Sequence, residues 1–336
     1  MLIQENEKNK EKSDSIRFAD CIMTSLTIFV DRVESFLVDE MDYVPSIDET
    51  VDLCVQVLSH FRNSEEVCDK MCHVLTFVIN LSRDYFKEHQ KLSDQLVGFY
   101  QDSNFSCFIE PFLMIDSLRG YDAGCWEWIL KHCIVIFEHA ATFLTLGDSN
   151  NQPRFVERLM KLFQTFESSN LRIVSKYYDD ILHSFDVGFI LSIACQGLLS
   201  ENEPAFHECV KALFEVFLHP SKSFCKARPK TNQIVERLYH SNIDLIIKNC
   251  VDVILSQRKI VFLKGCGDVL YLMNRTERCL VGTRLNIAQD LVSEALENNQ
   301  DIVNPEKRIQ DLLIKILNST TKEEAESLVA LVNVDA

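Results

Sequence analysis

Cys68, Cys72 and His73 are the first residues in this chain whose types and spacing suggest chemistry. Two thiols one helical turn apart with an imidazole beside them could begin a zinc site. On a helix, however, His73 points about a hundred degrees away from Cys72, and no second CxxC or HxxxH lies nearby to complete four ligands. These residues therefore read as buried thiols. His132 and His139, seven apart, lie on one face of the helix that also carries Trp126 and Phe137, an arrangement that suits a proton-shuttling pair as well as packed imidazoles. Asp179 and Asp180 are adjacent and so face different directions, unlike a general acid/base couple. Gly265-Cys266-Gly267 is too short for a phosphate loop and precedes no Lys-Ser/Thr pair. The sequence carries no G-x-S-x-G elbow and no HExxH. No catalytic residue, metal or cofactor follows from these patterns, and the expectation is a protein that is not an enzyme.

Binding is the remaining class, and charge limits it. The 336 residues carry 34 basic and 50 acidic side chains, a formal charge of -16. Such a surface repels a phosphate backbone over roughly a Debye length, so no nucleic acid is expected, and a basic protein is the natural complement. Two basic clusters, Lys222 to Lys230 and Arg275 with Arg278, read as solvated loop and surface. Residues 1–14 are mainly polar and charged rather than a basic stretch followed by an apolar one, so no signal peptide is expected. The longest nearly apolar run, Val187 to Leu199, contains Ser192 and Gln196 and is too short to span a bilayer. Thirteen cysteines without an export signal imply a reducing compartment, cytoplasmic and nuclear. The N-x-S/T triplets at Asn80, Asn104, Asn274 and Asn318 are then coincidental.

The elements that would position any site are helices. Only 9 glycines and 7 prolines are present, too few for an all-β fold with a turn every ten residues. Val51, Cys54, Val55, Leu58 and Phe61 form one stripe of a 3.6-residue helix, which Ser46 and Glu49 could open as a capping box. Val67, Met71, Val74, Leu75, Val78 and Leu81 form the next, and the polar break at 63–66 makes the two a hairpin. The same reading gives helices near 16–38, 48–62, 66–82, 88–101, 106–118, 122–145, 153–167, 171–185, 187–199, 203–218, 231–255 (broken near Asn242), 259–273, 276–298, 305–317 and 321–333. Onsets at 48, 88, 122, 153, 187 and 231 recur every 31 to 44 residues, the length of HEAT-type helix pairs. The expected fold is all-α, an α-solenoid of HEAT-like antiparallel helix pairs over 15–336 after a disordered segment 1–14. A globular all-α domain is the other solution. The first helix pair, with Ile22, Leu26 and Phe29, would then lack a covering neighbour.

An ordered series of short stretches also carries a resemblance. Phe29-Val-Asp-Arg32-Val, Cys54 to Arg62, and Ser106-Cys107-Phe108 followed by Gly120 and Gly124-Cys125 begin it. Phe155 to Leu159, Phe206 to Phe217, Asp268 through Leu296, and Leu313 to Val332 with Ser319 to Glu324 continue it. Together they resemble the C-terminal portion of the importin-β (karyopherin-β) superfamily of nuclear transport receptors, in the transportin-SR and importin-13 branch. The resemblance implies a HEAT solenoid that takes basic protein cargo on its concave face. It leaves Ran-GTP and nucleoporins to N-terminal repeats that this chain would lack; alternatively, without that arch, the chain would be a non-transporting HEAT scaffold. The branch's cargo helix, with arginines that pair phosphoserines, aligns with 66–82. Its arginine positions are Lys70, His73, Thr76 and Asn80 here, which cannot form bidentate phosphate clamps. The acidic D-E-Y that precedes the family's glycine is Ser117-Leu118-Arg119.

Overall fold

The computed structural model describes residues 45–82, 89–119, 125–144, 151–168, 187–217, 229–256 and 260–281, with Thr24 and Lys315 as isolated positions. Among these the chain is all-α, with ten α-helices, one 3-10 turn and no strand. They are α1 (Pro45–Phe61), α2 (Glu65–Ser82), α3 (His89–Ser103), a 3-10 turn (Ser106–Phe108), α4 (Ile109–Arg119) and α5 (Trp126–Phe143). α6 (Pro153–Ser168), α7 (Val187–Gly197), α8 (Glu203–Phe217), α9 (Pro229–Leu255) and α10 (Ile260–Val281) follow. None of the described helices is long and apolar enough to cross a membrane. The stretches expected as helices at 16–38, 171–185, 305–317 and 321–333, with Ile22, Leu26 and Phe29, lie outside the described residues apart from Thr24 and Lys315, as does segment 1–14. The chain divides into two compact units, 1–136 and 137–336.

In the first unit the expected stripe of α1 is buried, with Val51, Cys54, Val55 and Leu58 in the core. α1 spans Pro45–Phe61, from three residues before the expected onset near 48. Phe61 accepts from the Ser64 N–H at 2.8 Å and Ser64 accepts from the Cys68 N–H at 3.0 Å, so α2 starts almost where α1 stops. A link this short leaves the two packed helices antiparallel. Glu65 and Glu66 stand in the first turn of α2, at the positive end of its dipole. α2 also packs on the 3-10 turn and on α4, which packs on α3. Asn104 ends α3 with φ 62, a left-handed position that asparagine tolerates, its N–H donating to Tyr100 O at 2.8 Å.

In the second unit, α6 packs on α8 and α8 on α10, while α7 packs on α9; α7–α8, α9–α10 and α6–α7 contacts join the two rows. Among its described helices, each therefore touches the next and the next but one, which gives two layers. Polar side chains at helix ends fix the register. Asn202 caps α8 by accepting from the Ala205 N–H at 3.0 Å. The buried Asn249 of α9 donates to Cys195 O near the end of α7 at 2.8 Å. Thr276 of α10 is hydrogen-bonded to Phe217 O, at the last residue of α8, at 2.8 Å. Helix ends carry N–H and C=O groups that the helix itself does not fully satisfy, and side chains such as these serve them. Two glycines permit close helix approach: a Cβ on Gly265 would lie 2.5 Å from the Phe206 ring, and one on Gly197 would overlap Cys209 Sγ.

Two breaks expected from the sequence are absent. α9 runs unbroken through Asn242, whose amide donates to its own helix at Leu238 O (2.8 Å). α10 runs through 274–276, where Thr276 is buried and bonded rather than exposed in a turn. In both places a neighbouring helix supplies the surroundings that a polar residue needs in order to stay helical.

Candidate functional site

Lys70, His73, Thr76 and Asn80 follow one another at steps of three, three and four on α2, and the structure places them together on its outward side. The opposite side buries Val67, Cys68, Met71, Cys72, Val74, Leu75, Val78 and Ile79. Acids surround the outward positions. Lys70 Nζ lies 3.2 Å from Glu66 Oε1 within the helix, and the exposed His73 faces Glu110 of α4, Nδ1 to Oε1 4.0 Å. Thr76 donates its hydroxyl proton to Cys72 O at 2.8 Å, the usual intrahelical arrangement. With one ammonium beside a carboxylate and no guanidinium, this face lacks the fork geometry that grips a phosphate. Glu65, Glu66, Asp69 and Glu110 make it acidic, and the whole first unit shares that character. Residues 1–136 contain 12 basic and 24 acidic side chains, against 22 and 26 in residues 137–336.

Sequence reasoning did not identify an open groove of about 540 Å³ in the same unit. Its walls are Asp52, Val55, Gln56, Ser59 and His60 of α1 and Gln95 of α3. Its only sequence signal was a polar stripe at i, i+4 and i+7 of α1 (Asp52, Gln56, Ser59), indistinguishable there from any solvated helix face.

The thiols behave as packing groups. Cys68 and Cys72 are fully buried, and burial pushes the Cys68 thiol up to about 12, helped by Cys107 and Glu65 nearby. A thiol held neutral is a poor nucleophile at ordinary pH. Among the described residues no three His, Cys, Asp or Glu side chains stand close enough to share a metal ion. Gly265-Cys266-Gly267 lies inside α10. Asp179, Asp180, Lys222 to Arg228 and Asn318 are outside the described residues.

His132 and His139 fall in different units and have different surroundings. His139 sits beside the Phe143 ring, 5.5 Å between centroids, and desolvation lowers its pKa. His132 is 7% exposed between Phe112 and Trp128, with Nδ1 2.5 Å from Trp128 O and Nε2 2.7 Å from Asp94 Oδ1. Both ring nitrogens are occupied, so neither is open to a substrate; the residue joins α5 to α3 and α4. His132→Ala is expected to lower stability by about 2–3 kcal/mol through lost hydrogen bonds and a cavity. Asp94→Ala should cost about 1 kcal/mol, because the 61% exposed Asp94 side chain leaves room for water to replace it. Urea unfolding of the two variants checks this, and equal costs would mean that His132 is not the anchor.

No family model and no curated protein matches this chain.

Proposed function

We propose that this chain is the cargo-side segment of a nuclear transport receptor, a non-enzymatic HEAT-type solenoid that binds basic protein cargo in the cytoplasm and nucleus. The observation that carries the reading is the packing of 153–281, where each described helix meets the next and the next but one in two layers. Such nearest-neighbour stacking is how repeat solenoids bury their cores. The acidic excess of residues 1–136 supports a basic partner over an acidic one. Ran-GTP and nucleoporin contacts belong, in this reading, to other repeats of a receptor. Cargo selection here does not read phosphate, because Lys70 alone among the four helix positions is a permanent cation.

The test is a binding titration of the full chain with matched phosphorylated and unphosphorylated arginine/serine-rich peptides at two ionic strengths. The unphosphorylated peptide is expected to bind more tightly at low salt, and its affinity to fall as salt screens the exposed charges. Phosphorylation is expected to give no gain, since each missing arginine removes a charge-assisted contact worth about 1.5–3 kcal/mol. A tenfold or larger gain on phosphorylation, abolished by Lys70→Ala, would overturn the proposal of a phosphate-blind face. Absence of binding to either peptide at low salt would count against basic cargo altogether.

A further inference from the structure

We infer that the groove between α1 and α3 is a docking site for an extended, lysine- or arginine-rich segment of a partner protein. This rests on the reading of a basic partner given above and assigns it a place. Every polar wall group can accept a hydrogen bond. Asp52 contributes an exposed carboxylate, and Gln56 of α1 and Gln95 of α3 can turn amide oxygens toward an occupant. The Ser59 hydroxyl proton is already donated to Val55 O at 2.8 Å, so its oxygen presents lone pairs. Val55, 9% exposed, adds a small apolar surface at the wall. A lysine or arginine has the matching halves, a methylene stem for Val55 and a donor-only head for Asp52 and the amide oxygens.

The amides also carry N–H donors for the carbonyls of an extended backbone, so the groove can read a peptide as well as its cation. Small-molecule sites enclose most of their ligand within a largely apolar lining. This groove is shallow and broadly open to solvent and has one apolar wall residue, which fits a segment that remains partly hydrated. His60, at the groove, packs its ring edge-on to Phe61, 4.8 Å between centroids. The acidic excess of the surrounding unit draws the same charge toward the site.

Fluorescence anisotropy of the full chain with a fluorescein-labelled lysine–glycine peptide tests the assignment, with a glutamate–glycine peptide as control. Asp52→Lys is expected to weaken binding about tenfold and Gln95→Ala about threefold, with thermal midpoints unchanged for the exposed Asp52 position. Asp244→Lys, the same charge reversal on an exposed α9 position in the other unit, should change affinity less than twofold. If Asp52→Lys and Asp244→Lys weaken binding equally, net charge alone acts and the groove is not the site, although a basic partner stands. If the lysine–glycine peptide does not bind, or binds no better than its glutamate counterpart, the basic-partner reading fails and the groove assignment with it.

Discussion

Raising the pH from 8 to 10 is expected to remove about 5–7 kcal/mol of folding stability, through five buried thiols. Cys54, Cys68, Cys195, Cys209 and Cys250 are all fully buried. Burial pushes Cys54, Cys68 and Cys195 from their ordinary 9.0 up to about 12. Cys209 and Cys250 are pushed up as well, first by burial and then by neighbours: Cys195 and Glu208 beside Cys209, and Cys266 beside Cys250. A group whose pKa is raised on folding contributes its full stability below the unfolded value. That stability is lost as pH rises from 9 toward 12, because the unfolded chain ionises while the folded one does not. At pH 10 each thiol costs on the order of 1 kcal/mol, so the five together are a large share of what folded units of this size have in hand. Urea midpoints should be flat up to about pH 8.5 and fall steeply above 9, and the double variant Cys209→Ala/Cys250→Ala should lower the slope by about two-fifths. A flat profile to pH 10, or rapid labelling of these thiols in the native chain at pH 8, would show that they are not buried as described.

Phe206→Ala is expected to be the most damaging single substitution in the second unit, at about 3–5 kcal/mol. The ring is fully buried, meets Phe262 edge-on at 4.9 Å between centroids, and lies against the backbone of Gly265 where α8 crosses α10. Removing it leaves a cavity between α8 and α10. Gly265→Ala fails for the opposite reason. Its new methyl meets the ring at 2.5 Å, and overpacking of this kind costs about 1–3 kcal/mol. Because the two positions share one space, their effects should not add: in Gly265→Ala/Phe206→Leu the smaller side chain makes room for the methyl, and the pair should cost less than the sum of the singles. Denaturant unfolding of the four-member cycle measures this. Additive costs would mean that the ring and the glycine do not compete for the same volume.

The same pair shows how far a sequence can be read. Gly265-Cys266-Gly267 was legible as a close-packing stretch inside a helix because small residues in an apolar run have few other uses. That Phe206, 59 positions earlier, fills the space was not legible, since periodicity records which face of a helix is buried and not what lies against it. His132 and Asp94 are a similar case. Each could be assigned to a helix, but their 2.7 Å contact depends on how α5 is set against α3. On the functional side, the α2 positions Lys70, His73, Thr76 and Asn80 were legible as one outward stripe, as their spacing requires. The groove of Asp52, Gln56 and Gln95 was not, because it exists only between two helices.

Apolar spacing and the scarcity of glycine and proline determined by themselves that this chain is helical, where most of its described helices lie, and which of their faces are buried. Each of those properties is set within one or two turns, by side chains three or four residues apart. Tertiary structure alone decided that α9 continues past Asn242 and α10 past Thr276. A polar residue in a helix is a break or a tie according to whether another element offers it a partner, and for Thr276 that partner is Phe217 O, 59 residues away. Tertiary structure also decided which pairs of helices form layers in the second unit, and where carboxylate and amide oxygens converge in the first. Local spacing fixes the direction of a side chain around its own helix axis, whereas convergence depends on the distance and angle between axes, and those are set by the packing of the whole unit.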